Sequence, residues 1–156
     1  MAGSVEDVES RCIACRANRG EIATPGGVIY QDGLWRLEHA FEPIPMVGWL
    51  ILKPLRHVEA LAQLASTEAE LLGPLVQRIS SAMMEVLQPA KIYVACFAES
   101  VAHLHFHLIP RSAEILPEDR GPDIFRYLGQ AAREGRNLAD LAAAERTARA
   151  VRERLT

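Results

Sequence analysis

From His103 to Leu108 the chain alternates imidazole with hydrocarbon: His103, Leu104, His105, Phe106, His107, Leu108. Only an extended strand turns such an alternation into two faces, because successive side chains of a pleated backbone point to opposite sides. As a strand over 102–109, the segment puts its three histidines on one face about 6.7 Å apart and sends Leu104, Phe106 and Leu108 into a core. A helix would scatter the same residues round its circumference. Three of the chain's five histidines lie in this row, so a polar strand face with incidental imidazoles is the poorer reading. One metal ion held by all three is also excluded on a straight strand, where the first and third stand about 13 Å apart.

Such a strand needs partners, and the sequence supplies them. Residues 28–31 and 34–39 are β-branched and aromatic and are joined by Asp32-Gly33, a strong hairpin signal. A third strand over 49–52 is expected to stop at Lys53-Pro54, because proline cannot donate to a ladder. A fourth covers 91–97, and Pro110 closes the fifth. Thr67-Glu68-Ala69-Glu70 has capping-box spacing, and Leu71, Leu72, Leu75, Val76, Ile79, Met83 and Val86 recur at helical period. They predict a main helix ending before Pro89, kinked or delayed at Pro74. The tail from Asn137 predicts a second long helix, with Asn137 as its cap and an apolar stripe of Leu138, Leu141, Ala148, Val151 and Leu155. Five strands with two or three helices, not strictly alternating, predict an α+β domain on an antiparallel sheet.

Composition bounds the function. The 156 residues show no internal repeat and no compositional break, so a single domain over 1–156 is expected. Seventeen basic against 20 acidic residues, net −3, give no general attraction for a polyanion, which argues against a nucleic-acid partner. The opening MAGSVEDVESR lacks the charged start and apolar middle of an export signal. Apolar runs such as 49–52 fall far short of the ~20 residues that span a bilayer. A cytoplasmic protein without a membrane partner is expected. In that reducing compartment the pair Cys12/Cys15 suits metal binding or redox work better than a stable disulfide, and Cys96, alone in an apolar run, reads as packing.

With these elements placed, the sequence resembles the histidine triad, or HIT, family. His103 to Pro110 matches the family's His-x-His-x-His followed by further apolar positions, and Ser100-Val101 matches the usual Ser-Val before it. Gly48 to Val58, GWLILKPLRHV, resembles the strand and Pro-x-Arg-His turn that precede the family's main helix. The likeness covers 12–111 and leaves a helical extension over about 122–156 without a quotable motif. It implies a HIT-like fold, a symmetric homodimer, and a nucleotide substrate attacked at its α-phosphate in two displacements. His105 is then the nucleophile that forms a nucleotidyl-imidazole, and His107 donates to the phosphate oxygens or the leaving group. Imidazole suits the task, being nucleophilic when neutral and giving a labile bond to phosphorus. One ring nitrogen must be held as N–H, which a backbone carbonyl could do. At an unperturbed pKa of about 6.5, activity should fall below about pH 6. The resemblance implies a hydrolase of dinucleoside polyphosphates, such as diadenosine tetraphosphate, or of nucleoside phosphoramidates. Transfer to phosphate or a sugar phosphate, and a nucleotide-binding regulatory module with little turnover, are the competing readings.

Several positions depart from the family pattern. Ser100 matches a serine that contacts phosphate, with a plain turn hydroxyl as its other reading. Glu99 stands where many members carry glutamine, and an ionised carboxylate cannot donate to a phosphate oxygen. Trp49 replaces a fourth histidine that supports the triad in several branches, so that support is expected to be absent. Phe41 falls where some branches place a ribose-binding acid or amide, with Glu38 and Glu42 as weak substitutes. Of the cations near the motifs, Lys53 and Arg56 read as surface charges, and Arg111, directly after the triad strand, as a phosphate ligand. His39 reads as polar filler, and Tyr30 and Trp35 as core.

The second constellation is Cys12-x-x-Cys15. A two-residue gap lets two thiolates reach one tetrahedral ion, and distant histidines complete such sites. The resemblance names them: zinc-binding relatives use the histidine of the Arg-His turn and the first of the triad, here His57 and His103. Two thiolates neutralise Zn²⁺ and four protein ligands leave no open position, so this zinc would be structural. A redox pair is the alternative, though no strand-then-helix setting surrounds Cys12.

Overall fold

The Asp32-Gly33 turn forms, and Asp32 itself closes it. Its Oδ1 accepts from the backbone N–H groups of Leu34 and Trp35 at 2.7 and 2.6 Å, and its own N–H donates to the Trp35 carbonyl at 3.1 Å. This computed structural model describes residues 5–156. The turn joins β1 (Val28–Gln31) to β2 (Trp35–His39); β3 (Leu50–Pro54), β4 (Lys91–Ala95) and β5 (Phe106–Arg111) complete one sheet. Its order is β1-β2-β3-β5-β4, and every neighbouring pair is antiparallel. The helices are α1 (Val5–Arg11), α2 (Ile13–Asn18), α3 (Ser66–Leu87), α4 (Phe125–Glu134) and α5 (Leu141–Leu155). Among the described residues no helix is long and apolar enough to cross a membrane.

Of the two prolines expected to end strands, Pro54 is the last residue of β3, whereas Pro110 lies inside β5. Pro54 pairs with Trp35 and Pro110 with Ile92. The β3–β5 ladder joins only Leu50–Leu52 to Phe106–Leu108. Beyond it each strand has a neighbour on one side alone, where a missing N–H is tolerated.

The sheet has two different faces. Trp35, Leu37, Leu50, Leu52, Phe106 and Leu108 form the main core with Leu75, Ile79 and Met83 of α3 and Ala148, Val151 and Leu155 of α5. Arg36, Glu38, Lys53 and His107 are buried as well, and strand alternation places them on the opposite face. A small second cluster of Ala40, Trp49, Ile109 and Ile124 packs on that side.

Three helix expectations change in detail. The cap of α3 is made by Glu68, whose carboxylate accepts from the Ala65 N–H at 2.7 Å, rather than by a box over Thr67 and Glu70. Pro74 lies inside α3 rather than delaying it. Its interior cost of about 3 kcal/mol is outweighed by burying Leu75, Ile79 and Met83, each worth roughly 1.5–3 kcal/mol. The cap of α5 is Asp140, which accepts from Ala142 and Ala143. Asn137 is diverted to a tertiary role: its Oδ1 accepts from Ile44 N–H at 2.7 Å, and its Nδ2 donates to Glu42 at 2.9 Å.

Candidate active site

The triad is not a straight strand. β5 begins at Phe106, and 101–105 approach it as irregular chain. Leu104 N–H leaves the sheet register to donate to Val58 O at 2.6 Å, so His103 and His105 precede the strand and only His107 lies within it. The expected row on one strand face is therefore replaced by three different settings. His105 Nδ1–H donates to the carbonyl of His103 at 2.7 Å. That bond fixes the tautomer and leaves the Nε2 lone pair free to attack. His107 follows with its ring centroid 4.8 Å from that of His105. Burial pushes the His105 pKa below its ordinary value, helped by the positive charge of Lys53. The fall in activity expected below pH 6 thus moves to more acid pH.

His103 turns the other way. Its Nε2–H donates to Pro54 O at 3.0 Å, which points Nδ1 at Cys15 Sγ, 3.4 Å away, and Cys12 Sγ, 3.6 Å away. His57 Nδ1 stands 3.3 Å from Cys15 Sγ, and the four ligand atoms all lie within 4.8 Å of one another. A tetrahedral zinc with bonds of about 2.3 Å to sulfur and about 2.0 Å to nitrogen has S···N edges of about 3.5 Å. The residues fit that group. Burial, with the neighbouring Cys12, pushes the Cys15 thiol up to about 12, and a coordinated cation is what ionises a thiol in such a place.

His107 is caged by rings. Phe125 of α4 meets it edge-on at 5.0 Å and Trp49 at 5.7 Å, while Phe125 also contacts Trp49 and Phe97 at 5.3 and 5.1 Å. Trp49 Nε1–H donates to His107 Nδ1 at 3.0 Å. Burial, then the neighbouring His105, pushes the His107 pKa down to about 4. Support for the triad, expected to be missing with the fourth histidine, is thus supplied by an indole.

The family model of the HIT domain matches residues 21–114, more than half of the chain. The chain belongs to the HIT family. Its fold is similar to that of a zinc-bound histidine triad family protein from Mycobacterium smegmatis, with a TM-score of 0.70 and 20% identity over 94% of this chain and 96% of the other. A hypothetical histidine triad nucleotide-binding protein from Sulfolobus tokodaii gives 0.69 at 15% identity, over 92% and 91%. A HIT family hydrolase from Legionella pneumophila gives 0.52 at 22% identity, over 69% and 98%. No curated protein matches the sequence.

The HIT domain does not gather every residue expected at the site. Glu99 and Ser100 lie exposed in the loop that leads to the triad. Arg111 is on β5 opposite Lys91, four residues beyond His107, or about 13 Å along the strand. Lys53 is no surface charge: it is fully buried and ion-paired with Glu38, which also holds Arg36 Nε at 2.9 Å. Arg56 instead binds Glu68 at 2.7 Å. Glu38 is thus enclosed by two cations, and Glu42 is bound by Asn137. His39 is a buried latch, its Nδ1–H donating to Ala40 O and its Nε2 accepting from Gly48 N–H. Phe125 had no sequence signal beyond its place in the extension.

Proposed function

We propose that this HIT domain is a nucleotide hydrolase that works at an α-phosphate through a nucleotidyl-His105 intermediate. The observation that carries the reading is the 2.7 Å bond from His105 Nδ1–H to the His103 carbonyl, which leaves Nε2 unprotonated and nucleophilic. In the first step the Nε2 lone pair forms a bond to phosphorus, and the bond to the leaving group breaks with its electron pair going to that group. In the second, water attacks phosphorus, the N–P pair returns to Nε2, and the water proton passes to solvent. His107 donates through Nε2–H to oxygens on which charge develops, where a fixed donor is worth most. Ser100, Glu99 and Arg111 are the remaining candidates for phosphate contact. Cys12, Cys15, His57 and His103 would hold a zinc ion, which would serve as a structural anchor for the chain at His103.

Incubation with diadenosine tetraphosphate, an adenosine phosphoramidate, and a sugar nucleotide plus sugar phosphate tests the reading, with His105→Asn as control and products identified by mass. Turnover should vanish in the control, and acid-quenched wild type should carry an adenylyl mass on the peptide containing His105. Transfer to the sugar phosphate in preference to water would make the protein a transferase. Tight nucleotide binding with neither product nor adduct would leave only a regulatory module.

A further inference from the structure

Indole N–H donates and never accepts. Trp49 is fully buried, and its Nε1–H donates to His107 Nδ1 at 3.0 Å. That nitrogen must therefore offer a lone pair, and the single proton of the neutral ring sits on Nε2. A second proton on Nδ1 would set two donors against each other and put a cation among Trp49, Phe125 and His105, whose ring centroids lie 5.7, 5.0 and 4.8 Å away. We propose that Trp49 locks His107 as a neutral Nε2–H donor, and that the site therefore cleaves phosphoric anhydrides in preference to phosphoramidates.

The inference rests on the hydrolase reading above and names its substrate class. When His105 Nε2 bonds to the α-phosphorus of an anhydride, the P–O bond breaks and its electron pair stays on the bridging oxygen. That oxygen departs as a phosphate oxyanion and needs hydrogen bonds, not a proton. In a phosphoramidate the P–N bond breaks, and the electron pair would be left on an amine nitrogen. Departure as an amine then requires a proton from an acid at the moment of cleavage. An imidazolium supplies one readily, whereas a neutral imidazole can lend its N–H but not give it up. A histidine at position 49 could accept as well as donate and so tolerate a protonated His107; tryptophan cannot. Trp49 is thus a positioning residue that acts through His107.

Two measurements on the intact protein test this. Long-range ¹H–¹⁵N spectra of ¹⁵N-histidine-labelled wild type should show His107 with a bare Nδ1 and a protonated Nε2 at pH 6–7. A protonated Nδ1 overturns the lock whatever the kinetics show. The ratio of kcat/KM for diadenosine tetraphosphate over adenosine phosphoramidate should favour the anhydride by roughly 100-fold, the low end of what a positioned general acid contributes. In Trp49→His the ratio should narrow at least about tenfold, and Trp49→Phe should lose the single tautomer without gaining phosphoramidate turnover. Equal kcat/KM for the two substrates in wild type, or an unchanged ratio in a folded Trp49→His, overturns the selectivity while leaving the hydrolase reading intact. Consumption of neither substrate, with no adduct on His105, instead overturns the hydrolase reading and the selectivity with it, and the spectrum still decides the tautomer.

Discussion

Acid should destabilise this protein through His107 in a calculable way. The residue is 6% exposed, and burial with the adjacent His105 holds its pKa at about 4 in the fold, against about 6.5 in an unfolded chain. Above pH 6.5 neither state binds the proton and His107 is silent. Between 6.5 and 4 the unfolded chain takes up a proton that the folded chain refuses, so stability falls as pH falls; below 4 both states are charged and the loss stops. A gap from about 6.5 to about 4, at about 1.36 kcal/mol per pH unit, amounts to about 3 kcal/mol. The substitution to make is His107→Gln, whose amide oxygen still accepts from Trp49 Nε1–H. Urea unfolding of both proteins from pH 7 to pH 4 then isolates the histidine, because His103, also pushed down to about 4, is common to both. Wild type should lose about 3 kcal/mol more than the variant over that range. Curves that stay parallel within about 1 kcal/mol would show that His107 accepts a proton in the fold as easily as in the unfolded chain, and that burial and Trp49 do not hold its ring neutral.

Glu38 makes both ion pairs beneath the site, with Lys53 and Arg36. Glu38→Gln leaves two buried cations without a charge partner and should cost roughly 3–5 kcal/mol in chemical denaturation. Lys53→Met keeps the Arg36 pair and should cost less; the reverse ranking would mean that Lys53, not Glu38, is the centre of the network. Elemental analysis should find one equivalent of zinc in wild type and none in Cys15→Ala, and the variant should melt at lower temperature, as should wild type after prolonged chelation. Stoichiometric zinc retained by the variant would exclude Cys15 as a ligand.

What was legible in the sequence was local. The Asp32 turn, the period of α3 and the apolar stripe of α5 are set by neighbours in the chain, and they form close to where the pattern places them. The metal cluster was legible because the Cys-x-x-Cys spacing and the family motifs each name their residues, and all four come together. The structure departs from the sequence pattern where a distant contact decides. A strand ended at residue 52 leaves Lys53 as a surface charge; with β3 running to Pro54, Lys53 falls opposite Arg36 and onto the face of Glu38. Trp49 looked like a loss because its hydrogen bond reaches a residue 58 positions away. Alternation over 102–109 registers only that side chains point in turn to opposite sides, which the irregular chain before Phe106 also permits.

In a regular strand the carbonyl of His103 would be turned toward a neighbouring ladder, which competes for it as an acceptor. The chain instead breaks register at Leu104, whose N–H goes to Val58. The His103 carbonyl is thereby available to hold His105 Nδ1–H, while the His103 ring is fixed by Pro54 O on one nitrogen and faces the cysteines with the other. One residue thus joins two sites: its side chain belongs to the Cys12–Cys15–His57 cluster and its backbone carbonyl orients His105, the proposed nucleophile. A straight strand would supply the alternation but not the acceptor, so the irregular segment 101–105 is the feature that makes His105 different from the histidines on either side of it.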